Sequence, residues 1–181
     1  EPALRETRSI LDIPVVAYGE SSYLASMMLG QKVGVLLFIT EMAPVIRENA
    51  ERVIAPHRFA GVRPVGFTFN DVLKAFDEPA PLLEKFHESA RALIRDGADV
   101  IVPGEAPLCV LLAKNGINRV DDVPIVDALG ATIKMAESMV DLRRSSGLAP
   151  SRRGYFMDKP PRERVKELLD LYGISKLAPG K

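Results

Sequence analysis

Short apolar runs alternate along the chain with segments in which apolar residues recur at helical spacing. Runs rich in β-branched residues predict strands near residues 13–18, 32–39, 63–67, 98–102 and 123–127. Helical spacing predicts helices over about residues 23–29, 41–53, 82–96, 107–114 and 129–144. The alternation of short strands and helices predicts an α/β fold, with a Rossmann-like parallel sheet and helices on both faces.

The ends of the chain differ from this alternating region. Residues 1–6 have the pattern of a helix opening, and residues 145–161 are rich in Ser, Gly, Pro and Arg. We expect an irregular crossing there, followed by a helix over residues 162–172, where apolar residues return at helical spacing.

Composition excludes several classes of protein. The chain has 181 residues, 47% of them hydrophobic, with 24 basic and 24 acidic side chains, so no positive surplus favours nucleic acid. The single cysteine, Cys109, excludes an internal disulfide and a cysteine-based zinc site, and His57 and His87 form no ligand pair. No apolar run is long enough for a membrane helix, and no signal peptide is visible at the start. We expect a cytoplasmic protein without a metal, a nucleic-acid partner or a membrane partner.

Polar residues follow four of the predicted strands, at the sheet edge where open α/β proteins bind ligands. The four segments are Gly19-Glu20-Ser21-Ser22, Ile39-Thr40-Glu41, Gly104-Glu105-Ala106-Pro107 and Asp127-Ala128. The first three each meet a helix start, whose unpaired N–H groups favour a carboxylate, an imide oxygen or a phosphate.

Each of these residues also has a structural interpretation. Ser21, Ser22 and Thr40 are typical N-caps, and Gly104 suits a tight turn. Glu105 has the position of an acid that complements a helix dipole. Cys109 lies inside an apolar helical run, which is typical of a buried small residue.

The segment Val100-Ile101-Val102-Pro103-Gly104-Glu105-Ala106-Pro107-Leu108 resembles the second signature of the aspartate/glutamate/hydantoin racemase superfamily. The hydantoin racemase branch is closest, where a buried strand is followed by G-C-A-G-M. The segments 1–16, 19–22, 32–40 and 123–128 resemble other stretches of that family in the same order. The resemblance covers about residues 1–142.

The resemblance implies two similar α/β lobes with a substrate cleft between them. It also implies proton transfer by two cysteines, one from each lobe, without a cofactor. Glu105 occupies the second cysteine position, and the first-lobe cysteine is expected upstream of Glu1. On this reading, residues 1–30 are a remnant of the first lobe and residues 31–142 form the second. Residues 143–181 are then expected to pack on the first lobe or on a neighbour in a homo-oligomer.

Glu105 is thus predicted to be the acid/base for a small carboxylate or cyclic ureide. A helix start would lower its pKa, whereas burial in an apolar cleft would raise it. The predicted substrate-binding residues are Ser21, Ser22, Thr40, Gly104, Ala106 and Asp127. Cys109, one helical turn beyond Glu105, is not a substitute for the missing thiol.

Other interpretations remain open at this point. One is a non-catalytic binding protein on the same scaffold, and another is a decarboxylase or lyase of the superfamily. A third is an unrelated doubly wound domain for a phosphate-bearing ligand, although no nucleotide-binding glycine pattern follows any strand.

Overall fold

The computed structural model describes residues 1–174, which group into two compact units. One unit comprises Glu1 and Val16–Glu137, and contains every strand found in the described residues. The other comprises Pro2–Val15 and the described residues from Ser138 onward. The predicted remnant over residues 1–30 stays a prediction, because the grouping of residues does not test what the segment descends from.

The first unit is built on a three-stranded parallel sheet in the order β2-β1-β3. The strands are β1 (Val33–Leu37), β2 (Phe59–Pro64) and β3 (Val100–Pro103). Every residue of the central strand β1 is buried, as expected when helices cover both faces of a sheet. The prediction of a parallel sheet with flanking helices is confirmed.

Helices connect the strands, and further helices lie before the first strand and after the last one. They are α1 (Leu4–Ile10), α2 (Tyr18–Leu29), α3 (Ala43–Glu51), α4 (Phe69–Lys74), α5 (Ala80–Arg95), α6 (Ala106–Lys114), α7 (Ala128–Ser146) and α8 (Arg162–Leu171). Two 3₁₀ turns, Thr40–Met42 and Pro56–Arg58, and an antiparallel pair, β4 (Arg119–Val120) and β5 (Val123–Pro124), complete the described elements. Within residues 1–174, none of the helices has both the length and the apolar character needed to cross a membrane.

Alternate residues of the strands point to opposite faces of the sheet and divide the core into two layers. Leu36 and Ile101 belong to the layer that contains Phe86 of α5 and Leu108 of α6. The neighbouring strand residues face the other layer, which contains Tyr23 of α2 and Ile46 of α3. The two-residue period of the strands therefore buries both sides of β1 and β3.

Three predicted strands differ from the structure. Residues 13–17 form no strand, because Pro14 lacks the N–H that a ladder needs and Ile13 is exposed. The strand predicted near residues 63–67 lies earlier, at Phe59–Pro64. The last predicted strand is reduced to β5, beyond which a single parallel bridge joins Ile125 to Ile101 of β3.

Candidate active site

Glu105 lies between the end of β3 and the start of α6, as the sequence predicts. It is the N-cap residue of α6, but its side chain accepts no hydrogen bond from that helix. Instead, the backbone N–H of Phe38, just beyond the end of β1, donates to Oε2 of Glu105 at 2.6 Å. The carboxylate therefore links the carboxyl ends of two adjacent strands.

Two opposing influences act on the pKa of the half-buried Glu105. Burial raises it, because an ionised carboxylate loses hydration. Hydrogen bonding from the backbone N–H groups of Phe38 and Ile39 lowers it. Burial has the larger effect, so the pKa of Glu105 lies above its ordinary value and the carboxylate is a stronger base than an exposed glutamate.

Gly104 allows β1 to approach the turn that carries Glu105. Its N–H donates to the carbonyl of Leu36 at 2.6 Å. A Cβ atom on Gly104 would lie 3.1 Å from that oxygen and 3.1 Å from Cγ1 of Val35. The positive-φ glycines do not include Gly104, so it is required for space and not for a left-handed turn.

Tyr18 is a site residue that the sequence reasoning missed. Its hydroxyl donates to the carbonyl of Pro103, two residues before Glu105, at 2.8 Å. Burial raises the pKa of Tyr18 above its usual value, which already lies well above neutral pH, so the hydroxyl stays protonated. The available signal is a tyrosine directly before Gly19-Glu20-Ser21-Ser22, but the apolar run over residues 13–18 predicts a strand there.

Cys109 of α6 and Asp127, the residue directly before α7, contact each other. Cys109 is 4% exposed, which confirms its prediction as a buried residue, and its Sγ lies 3.7 Å from Oδ1 of Asp127. The same oxygen accepts the backbone N–H of Gly130 at 2.9 Å, so Asp127 caps the first turn of α7. Asp127 is exposed, whereas the thiol it contacts is not.

Ser21 and Ser22 are not N-caps, because α2 begins at Tyr18 and includes both. They are 1% and 0% exposed, and the hydroxyl of Ser22 donates to the carbonyl of Gly19 at 2.9 Å. In the first turn of α2, the N–H of Glu20 donates to Oε1 of Glu1 at 2.8 Å. The burial of both serines counts against direct contact with a substrate.

Thr40 and Ala106 lie at the sheet edge that Glu105 occupies. Thr40 is exposed and begins a 3₁₀ turn; it makes no side-chain cap, since α3 starts later, at Ala43. Ala106 is the half-buried first residue of α6. The structure thus brings Thr40, Gly104, Glu105 and Ala106 to the ends of neighbouring strands, while Ser21 and Ser22 lie within the core.

A cavity of about 260 Å³ runs beside α6 and the segment leading to α7. Its lining is mainly apolar and includes Pro103, Cys109, Ile117 and Asp127, but not Glu105. Among residues 1–174, no three His, Cys, Asp or Glu side chains group as metal ligands.

Residues 1–136 match the family model of the Asp/Glu/Hydantoin racemase family. The match covers about three quarters of the chain, and the chain belongs to this family.

Individual relatives agree with this assignment. A hydantoin racemase of Pseudomonas sp. (strain NS671) is 26% identical over 149 residues, which span 81% of this chain and 57% of the relative. The allantoin racemase from Klebsiella pneumoniae matches with a TM-score of 0.72 and 26% identity, over 88% of this chain and 62% of that one. The allantoin racemase from Pseudomonas fluorescens gives a TM-score of 0.68 and 26% identity, over 87% of this chain and 64% of that one. The chain therefore spans about three fifths of the length of these relatives.

Proposed function

We propose that the chain supports racemase-type proton transfer at a carbon next to a carbonyl, with Glu105 as the acid/base. The observation that carries the proposal is the half-buried Glu105 carboxylate at the family's signature turn, held by the N–H of Phe38 with its pKa raised by burial. A base of this kind needs a pKa nearer the working pH than an exposed glutamate has. The names of the relatives favour hydantoins and allantoin as substrates, which are cyclic ureides.

The turn offers both groups that such a step requires. A carboxylate has about four lone-pair positions, so the bond to Phe38 leaves others to accept a proton from the substrate carbon. The electron pair of that C–H bond moves to the neighbouring carbonyl and forms an enolate. The backbone N–H groups of Ala106 and Leu108, in the first turn of α6, suit this oxygen, whereas Pro107 between them has no N–H to donate. Return of a proton to the carbon completes the exchange, and delivery of that proton to the opposite face inverts the configuration at the carbon.

Exchange of the substrate proton in heavy water tests the proposal. The purified protein is incubated with 5-substituted hydantoins, allantoin, aspartate and glutamate, and deuterium at the activated carbon is followed by NMR against a protein-free control. We expect exchange with at least one cyclic ureide, and a loss of about 100-fold or more in Glu105→Gln. A product of new mass would instead indicate decarboxylation or water addition.

A matched control uses Glu41, an exposed acid at the same sheet edge. Glu41→Gln changes the charge by the same amount, and we expect its exchange rate to stay close to wild type. The proposal is wrong if Glu105→Gln exchanges as fast as wild type, or if no candidate exchanges above the protein-free rate.

The hydrogen bond between Glu105 and Phe38 also favours a second candidate, a non-catalytic binding protein. On that view the carboxylate is a cross-link between β1 and β3, and its charge has no chemical role. A ligand would then raise the melting temperature without exchange or turnover. Glu105→Gln would leave that ligand-induced shift unchanged, because the amide oxygen can still accept the N–H of Phe38.

A further inference from the structure

Tyr18 connects helix α2 to the strand that leads into the turn carrying Glu105. It is the first residue of α2, and its hydroxyl donates to the carbonyl of Pro103, the last residue of β3. The hydroxyl thus joins the start of α2 to the end of β3.

A hydrogen bond to the carbonyl of Pro103 is close enough along the chain to affect the position of Glu105. Only Gly104 separates Pro103 from Glu105, and Gly104 adds few steric limits of its own to the backbone. The N–H of Gly104 is bonded to Leu36 and the side chain of Glu105 is bonded to Phe38, both on the β1 side. Tyr18 holds the same turn from the α2 side, so the turn is fixed from two directions.

We propose that Tyr18 is a positioning residue, whose hydroxyl on the Pro103 carbonyl fixes the Gly104–Glu105 turn and keeps the Glu105 carboxylate in its water-poor position. The consequence for catalysis rests on the proposed function, whereas the effect on Glu105 itself does not. Tyr18 is not the acid on the opposite face, because its hydroxyl is already donated to Pro103 and stays protonated.

Tyr18→Phe removes the hydroxyl and leaves the ring. We expect the turn to loosen and water to reach Glu105 more freely, so the pKa of Glu105 should fall toward its ordinary value, by about half a pH unit or more. The measurement is an NMR titration of the ¹³C-labelled side-chain carboxyl of Glu105, assigned through Glu105→Gln. The amide proton of Phe38 reports in the same samples whether its bond to Glu105 has lengthened.

Tyr23→Phe is the matched control, because Tyr23 is a buried tyrosine on the same helix with 3% exposure. Loss of the Tyr23 hydroxyl should leave the pKa of Glu105 unchanged. An equal pKa for Glu105 in wild type and Tyr18→Phe would overturn the proposal, as would an equal shift in Tyr23→Phe. Thermal melts of both variants confirm that the comparison is made on folded protein.

Exchange kinetics then separate this proposal from the proposed function. Where wild type exchanges the substrate proton, Tyr18→Phe should lower kcat about tenfold with little change in KM. The acid limb of its pH–rate profile should move to lower pH. Where wild type shows no exchange but the pKa of Glu105 still falls in Tyr18→Phe, the proposed function fails and the positioning role stands. A fall in KM alone, without a shifted acid limb, would contradict the positioning role.

Discussion

Glu105 combines a burial that disfavours its charge with hydrogen bonds that favour it. Because burial has the larger effect, the pKa of Glu105 is higher in the folded state than in the unfolded chain. The folded state then binds the proton more strongly, so this residue's contribution to stability is present on the acid side of the ordinary glutamate pKa. The contribution is lost as the pH rises through the raised value.

Glu105→Gln should therefore raise the free energy of unfolding at neutral pH and leave it nearly unchanged at about pH 4, which is close to the ordinary glutamate pKa. Chemical denaturation of wild type and variant over about pH 4 to 8 measures the difference. Glu41→Gln, at an exposed position, should show no such divergence. A variant that is less stable than wild type at neutral pH would mean that the bond to Phe38 outweighs burial.

A substitution at Gly104 tests how closely β1 approaches the same turn. Gly104→Ala places a methyl group 3.1 Å from the carbonyl of Leu36 and from Val35, which should lower the free energy of unfolding by about 1 to 3 kcal/mol. Val35→Ala removes one of the two crowded atoms. In a double-mutant cycle, the cost of Gly104→Ala should be smaller in the Val35→Ala background; a purely additive result would contradict the steric explanation.

The sequence predicted the position of Glu105 but not its partner. An apolar run ending in Pro103-Gly104 before a second apolar run shows where a strand gives way to a helix. Phe38 lies 67 positions away, and its bond to Glu105 arises only when β1 and β3 pair. The sequence does not indicate the role of Tyr18 for a local reason, because helical spacing predicts that α2 starts near residue 23.

At the scale of elements, the end of α2 depends on Arg58, the last residue of the 3₁₀ turn before β2. The guanidinium of Arg58 donates to the carbonyls of Met27 at 2.9 Å, Gly30 at 2.6 Å and Gln31 at 3.1 Å. These carbonyls lie at the C-terminal end of a helix, where a cation is favoured and where helical partners are lacking.

Arg58→Met keeps much of the apolar stem and should lower the free energy of unfolding by about 1 to 2 kcal/mol. Denaturation measures the loss, and hydrogen exchange should locate it at residues 27–31. Arg52, an exposed arginine paired with Glu48 on α3, gives the control; Arg52→Met should change stability by less than about 0.5 kcal/mol. Equal losses in the two variants would show that general charge effects, and not the end of α2, explain the result.

The elements that were predicted well carry both periodicity and a stop signal. Helix α5 has a charged and an apolar face and ends before Gly97, whose φ of 100° suits glycine. Helix α6 likewise has Pro107 in its first turn and ends before Asn115 and Gly116. The run at residues 13–17 has strand composition without a pairing partner, and composition alone cannot show whether a neighbouring strand is present.

At the scale of the whole molecule, the irregular stretch after α7 has a defined anchor within its own unit. The guanidinium of Arg152 donates to the carbonyls of Arg8 at 2.8 Å and Leu11 at 2.6 Å, and to Oδ1 of Asp12 at 2.7 Å. Lys159 pairs with the same aspartate. The composition of residues 145–161 predicted an irregular segment, but not that one arginine would hold it to the end of α1.

Arg152→Ala should release this segment while leaving the sheet intact. Hydrogen exchange measured by mass spectrometry should show faster exchange in residues 2–15 and 147–161, because the carbonyls at the end of α1 lose their charged partner. Protection in β1 and β3, which lie in the other compact unit, should stay at the wild-type level. Arg153→Ala removes an exposed arginine one position away and should change neither region. Faster exchange in β1 and β3 as well would mean that the two units unfold together, and unchanged exchange at residues 2–15 would mean that Arg152 does not anchor the segment.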